Sequence, residues 1–99
     1  MMVLIRNKEY KVIKDYGETI NTINLEEIVT DYYDNFDFIV GDWAYGKVRL
    51  KGFYNHNNKN VKSFNDYNKV EDYINNSCAY GCKHFILERI ENKTIEKEI

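Results

Sequence analysis

The run "FDFIVGD", residues 36–42, is apolar at consecutive positions rather than at alternate ones. A strand of this kind hides both faces and sits in the interior of a sheet rather than at its rim. The chain then turns through "WAYG" and returns as "GKVRLKGFY", which alternates strictly. In a strand the side chains alternate sides, so Val48 and Leu50 share one face, and Lys47, Arg49, Lys51 and Phe53 share the other. Gly46 can take the positive φ that a tight turn needs. A central strand paired with an alternating neighbour is an antiparallel hairpin, and the rest of the fold must be built around it.

Upstream, "MVLIR" and "EYKVIKDY" are short apolar runs on either side of Asn7 and Lys8, which predicts a first hairpin that ends at Gly17. The period then changes. Leu25, Ile28, Val29, Tyr32 and Phe36 follow the i, i+3, i+4, i+7, i+11 spacing of a helical stripe. The spacing predicts a helix over 25–34, with Asn24 as N-cap accepting from the amide of Glu27 and with Ile23 and Ile28 as a staple across the cap. "NHNNKN" reads as a polar loop and "VKSF" as a short edge strand. A second helix is expected from Asn68, with Glu71 as cap partner, an apolar face of Val70, Tyr73, Ile74 and Cys78, and Gly81 at C′. "CKHFILERI" is a last strand. The order β-β-α-β-β-(β)-α-β predicts one α+β domain over residues 1–91, a mainly antiparallel sheet of four to six strands with two helices packed on one face. The charged end, residues 92–99, lacks a stripe and is expected to fray.

Charged residues make up 30% of the 99 positions and hydrophobic ones 43%, the range of a globular domain. A net charge of −2 argues against a surface that is basic all over, although it permits a local basic stripe. No apolar run follows a basic N-terminal region, and none approaches the length of a membrane span, so a cytoplasmic protein without membrane contact is expected.

The turn has two readings. Asp42 is either an Asx-type cap accepting from turn amides, with Trp43 folded over one end of the core, or Asp42, Trp43 and Tyr45 rim a pocket with Arg49 beside them. The stripe Lys47, Arg49, Lys51, Phe53 is either the wet face of an antiparallel strand or a surface for RNA or DNA. In the second case the cations neutralise phosphates while Phe53 and Tyr45 stack on bases. The same aromatics, if exposed, would instead serve a protein–protein adaptor. The run Cys78, Cys82, His84 has weak zinc-ligand spacing, with His56 as the only candidate for a fourth ligand. Reduced, unmetallated thiols are the expected state in the cytoplasm. No nucleophile-and-base pattern accompanies the histidines and no phosphate-cradling Gly-rich loop precedes a helix, so no catalytic residues and no cofactor are expected. Glu26 and Glu27 open a helix, where the dipole favours negative charge.

Taken together, the strings "VGDW-YG--RLKGF" and "C--GC--F-L" make residues 5–89 resemble the YutD-like family of small proteins from low-GC Gram-positive bacteria. Ala44 stands where many relatives are expected to carry Gly. The resemblance implies a cytoplasmic α+β domain and carries over no catalytic or cofactor residue. The residues themselves then point to a small binding module. Its surface is the 42–53 hairpin with the neighbouring Cys-Tyr-Gly-Cys loop, and its partner is a nucleic acid, a nucleic-acid-associated protein or another protein.

Overall fold

A computed structural model of the chain describes residues 1–77 and 82–90. Five strands form one antiparallel sheet in the order β1-β2-β5-β3-β4, where β1 is Met2–Ile5, β2 Lys8–Tyr16, β3 Phe38–Ala44, β4 Lys47–Phe53 and β5 His84–Arg89. The run read as interior is interior. β3 lies between β5 and β4, and Phe38, Ile39 and Val40 are all buried. Arg6 and Asn7, both at positive φ, turn β1 into β2. The 44–47 turn uses Tyr45 and Gly46, again both at positive φ. Such turns match the right-handed twist of the strands they join. "VKSF" forms no strand.

The helices do not share a face. α1, Leu25–Ile28, covers one side of the sheet, where Leu25 and Val29 join Ile5, Tyr10, Ile39, Phe85 and Leu87. α2, Val70–Ser77, covers the other, where Val70 and Ile74 join Phe38, Val40, Phe53 and Ile86. This corrects the expected two-layer arrangement. The reason lies in β3 itself. A strand apolar at consecutive positions needs cover on both sides, and one helix on each side supplies it.

The first helix is also shorter than its stripe. It stops at Ile28, Val29 is extended, and Asp31–Tyr33 form a separate 3-10 turn. Asn24 makes no side-chain cap bond; its carbonyl accepts from Glu27 instead. A single turn is not self-sustaining and survives here because Leu25 is buried. Ile23 and Ile28 pack against the same core, as the staple requires. The second helix begins as a 3-10 turn, Tyr67–Lys69, capped by Asp66, whose side chain accepts from the amide of Asn68. Val70 and Ile74 are buried and Tyr73 half-buried, as the spacing predicted, while Cys78, Gly81 and residues 92–99, whose fraying was an expectation, fall outside the described residues. No helix among the described residues is long and apolar enough to cross a membrane.

Candidate functional site

β3 and β4 bring Asp42 opposite Arg49. Asp42 is buried, 1% exposed. Arg49 meets it with both arms of its guanidinium. Nε–H donates to Oδ1 at 3.0 Å and Nη2–H to Oδ2 at 2.8 Å. The fork geometry suits a carboxylate and leaves the pair electrically neutral. Hydrogen bonding to Asp42, and its charge, push the guanidinium pKa above its ordinary value, so Arg49 stays charged at any working pH. Neither reading of Asp42 as a turn cap or a pocket rim describes this. The carboxylate is a cross-strand anchor.

The neighbouring positions divide. Trp43 is half-buried and packs edge-on against Phe85 at 6.0 Å, on the α1 side. Tyr45 is fully exposed at the turn, with φ of 54°. Lys47 is exposed. Lys51 lies over three rings, 5.0 Å from the centre of Tyr73, 5.4 Å from Phe53 and 5.9 Å from Phe64. Phe53 is 1% exposed and forms part of the core under α2. It cannot stack on a base, which corrects its place in the expected stripe. The alternation was read properly, but the face it assigned to water is covered by α2 at Phe53 and left open only towards Lys47.

A surface that the sequence did not announce lies at the base of the same hairpin. A groove of about 230 Å³ is lined by Tyr32, Tyr33, Phe36, Leu50, Gly52 and Phe64, with Lys51 and Asn65 at its rim. Phe36 roofs Gly52: a Cβ there would stand 2.3 Å from the ring. Phe36 also packs on Tyr54, 4.8 Å between centroids, and Tyr32 tilts against Phe36 at 5.6 Å. Burial, then the neighbouring Tyr32, push the Tyr33 hydroxyl above the ordinary tyrosine value. Tyr32 and Phe64 remain 68% and 69% exposed. Two aromatics standing this far into water beside a lined groove form the kind of patch that marks an interaction site. The groove is held by the ends of the hairpin. Asp37 accepts from the amide of Asn55 at 2.7 Å and from Arg89 at 3.2 Å, and Arg89 also donates to the Asp34 carbonyl at 2.8 Å. The advance signals were Tyr32 and Phe36, placed on a stripe whose helix ends at Ile28, and Phe64, read as part of a short edge strand that does not form.

The histidines have structural partners. His56 Nδ1 lies 2.8 Å from Asp66 Oδ2. That contact and the Asn68 amide hold the Asp66 carboxyl below the ordinary aspartate value. His84 is buried, stacks on Tyr16 at 5.3 Å, and places Nδ1 3.1 Å from the Cys82 carbonyl. Cys82 is disulfide-bonded, so the expected reduced thiol is corrected and its sulfur is not available as a thiolate ligand in this state. The expectation weighed the compartment, which governs where disulfides persist. His56 lies with Asp66 at the far end of the polar loop, away from the Cys82 strand end.

With this geometry in view, the profile of a family described as "Putative antitoxin YutD-like" matches residues 4–88. The chain belongs to the YutD-like family. It is 34% identical over 89 residues to a Bacillus subtilis (strain 168) protein named "Putative antitoxin YutD", covering 90% of this chain and 98% of that one. It also matches the solution NMR structure of the yutD protein from B. subtilis, with a TM-score of 0.74 and 33% identity over 92% of this chain and 83% of that one. The family match spans both the Asp42–Arg49 anchor and every residue that lines the groove.

Proposed function

We propose that this member of the family is a non-catalytic antitoxin that holds a protein partner through the aromatic groove at the base of the β3–β4 hairpin. The observation that carries the reading is the exposure of Tyr32 and Phe64 at the mouth of a lined groove, in a hairpin whose Asp42 and Arg49 are already paired with each other. The name of the B. subtilis relative points the same way, since an antitoxin acts by countering a partner.

The same geometry argues against a nucleic acid as the ligand. Arg49 is neutralised by Asp42, and Phe53 is buried. Two lysines remain, and two phosphate contacts give a log–log salt slope of only about −1.4 to −1.8. Aromatic anchors in a partly desolvated pocket are, by contrast, where protein interfaces concentrate their binding energy.

The test uses the tagged full chain expressed in its host cells. The expected result is one protein co-purifying stoichiometrically with the wild type and lost from Tyr32→Ala/Phe64→Ala, with the variant's thermal midpoint unchanged. Labelled single-stranded RNA should not bind measurably at physiological salt. Tight RNA binding with a salt slope steeper than about −3 would overturn the reading.

A further inference from the structure

β4 ends the sheet, so among the described residues one of its edges meets no other strand. The hairpin decides which groups lie there. A two-residue turn makes Ala44 and Lys47 a mutually hydrogen-bonded pair, and bonded pairs then recur at every second position. The amide and carbonyl groups of Val48, Leu50 and Gly52 therefore point away from β3. Tyr54, next in the same parity, shows what this edge accepts. Its N–H donates to the Asn65 carbonyl at 2.7 Å and its carbonyl accepts from the Tyr67 N–H at 2.9 Å, in a parallel bridge with Asp66. The chain adds its own segment to β4 at Tyr54 and no further. Among the described residues no hydrogen bond takes up the outward groups of Val48, Leu50 and Gly52. The groove reaches this edge at Leu50 and ends where Phe36 covers the buried Gly52, so the edge is open at Val48 and Leu50; Lys51 and Phe64 meet each other at the groove as well.

We propose that the open edge of β4 receives an extended segment of the protein partner as an added strand. Main-chain hydrogen bonds supply affinity in this mode and alternate side-chain pockets supply specificity. This rests on the protein-binding reading above and deepens it by naming the mode and the chemistry of the segment. Lys47 and Lys51 stand four positions apart on one face, with Arg49 between them neutralised by Asp42. An added strand therefore carries acidic residues at i and i+4 on that face, with a small polar residue between them. Its other face meets Leu50 and the tyrosines and is apolar. A second copy of this chain is disfavoured in the register centred on Arg49. Symmetric antiparallel pairing about Arg49 sets Lys47 against Lys51, and like charges directly opposite destabilise a sheet.

The probe is a synthetic peptide, acetyl-Val-Glu-Val-Ser-Val-Glu-Val-amide, titrated into the 15N-labelled full chain. At saturation the amide exchange of Val48 and Leu50 should slow at least tenfold. The same peptide with Lys in place of both Glu should bind at least tenfold more weakly. Lys47→Glu, at an exposed position, should narrow that preference at least threefold while leaving the thermal midpoint unchanged. Equal binding of the two peptides, no binding of either at millimolar concentration, or exchange at those two amides unaltered by bound peptide would overturn the proposal. So would a concentration-dependent dimer in sedimentation that protects the same amides. A co-purifying protein that leaves these amides unprotected overturns strand addition and spares the protein-binding reading. The absence of any protein partner overturns that reading whatever the peptide does.

Discussion

Gly41 on β3 and Gly52 on β4 meet the same local problem with opposite outcomes. Each lies beneath a phenylalanine ring, Phe85 over Gly41 and Phe36 over Gly52, so close that a Cβ would fall 2.2 and 2.3 Å from ring carbons. A glycine in a strand often marks such an approach, because the ring occupies the space of the missing side chain. Phe85 is completely buried, held between Trp43 and the α1-side core. Phe36 is half-buried and forms one wall of the open groove. The hairpin is thus sealed along its inner strand and open along its outer one. The closed half fixes the register, and the open half carries the proposed docking surface.

The sharpest way to break this comparison is to give both glycines a side chain. Gly41→Ala should cost about 3 kcal/mol, since Phe85 has nowhere to go. A chemical denaturation midpoint measures it, and a cost equal to that of Gly52→Ala would show that the two roofs are alike. Next in size, Asp42→Asn should cost about 2 kcal/mol. It keeps the shape of the anchor but turns one of its acceptors into a donor facing Arg49. A variant as stable as the wild type would mean that the pair does not hold the hairpin. Gly52→Ala should cost only about 1 kcal/mol, because Phe36 can swing towards solvent, but it should also weaken partner binding by reshaping the groove.

Smaller effects sharpen the contrast at the ends of the hairpin. Asp66 has its folded pKa below the ordinary aspartate value of 3.8, chiefly through the contact with His56. Its contribution is therefore complete above about pH 4 and declines as the pH falls below 3.8 towards the folded value. His56→Ala should make that acid-side decline shallower in urea titrations at stepped pH, and an unchanged slope would remove His56 as the cause. The smallest effect belongs to the tip. Tyr45 holds a left-handed φ of 54° ahead of Gly46 and its side chain is fully exposed. Tyr45→Asn should stabilise by about 0.5 kcal/mol, since Asn-Gly suits this turn, and should leave partner binding untouched. A loss of binding would move the site from the base of the hairpin to its tip.

Much of this was legible in the chain itself. Consecutive apolar residues from Phe38 to Val40 required an interior strand. The alternation from Lys47 to Phe53 required its neighbour, and Val70 with Ile74 marked the buried face of a helix. Covalent periodicity fixes such patterns, because a strand repeats every two residues and a helix every 3.6. Periodicity says which residues share a face, but not what lies across from that face. Only the tertiary structure decided that α1 and α2 take opposite sides, that Phe53 lies under α2, and that Arg49 closes on Asp42. It also cut the first helix at Ile28, where burying Val29 in extended form outweighed continuing the stripe, and so turned Tyr32 and Tyr33 towards the groove. Phe64 reached the same groove through the parallel bridge of Tyr54 with Asp66, a pairing between segments that no local pattern encodes. The sequence by itself determined the strands and tight turns of the two hairpins and the family; where the aromatic surface lies was decided by long-range packing, because exposure depends on the neighbours that distant segments supply.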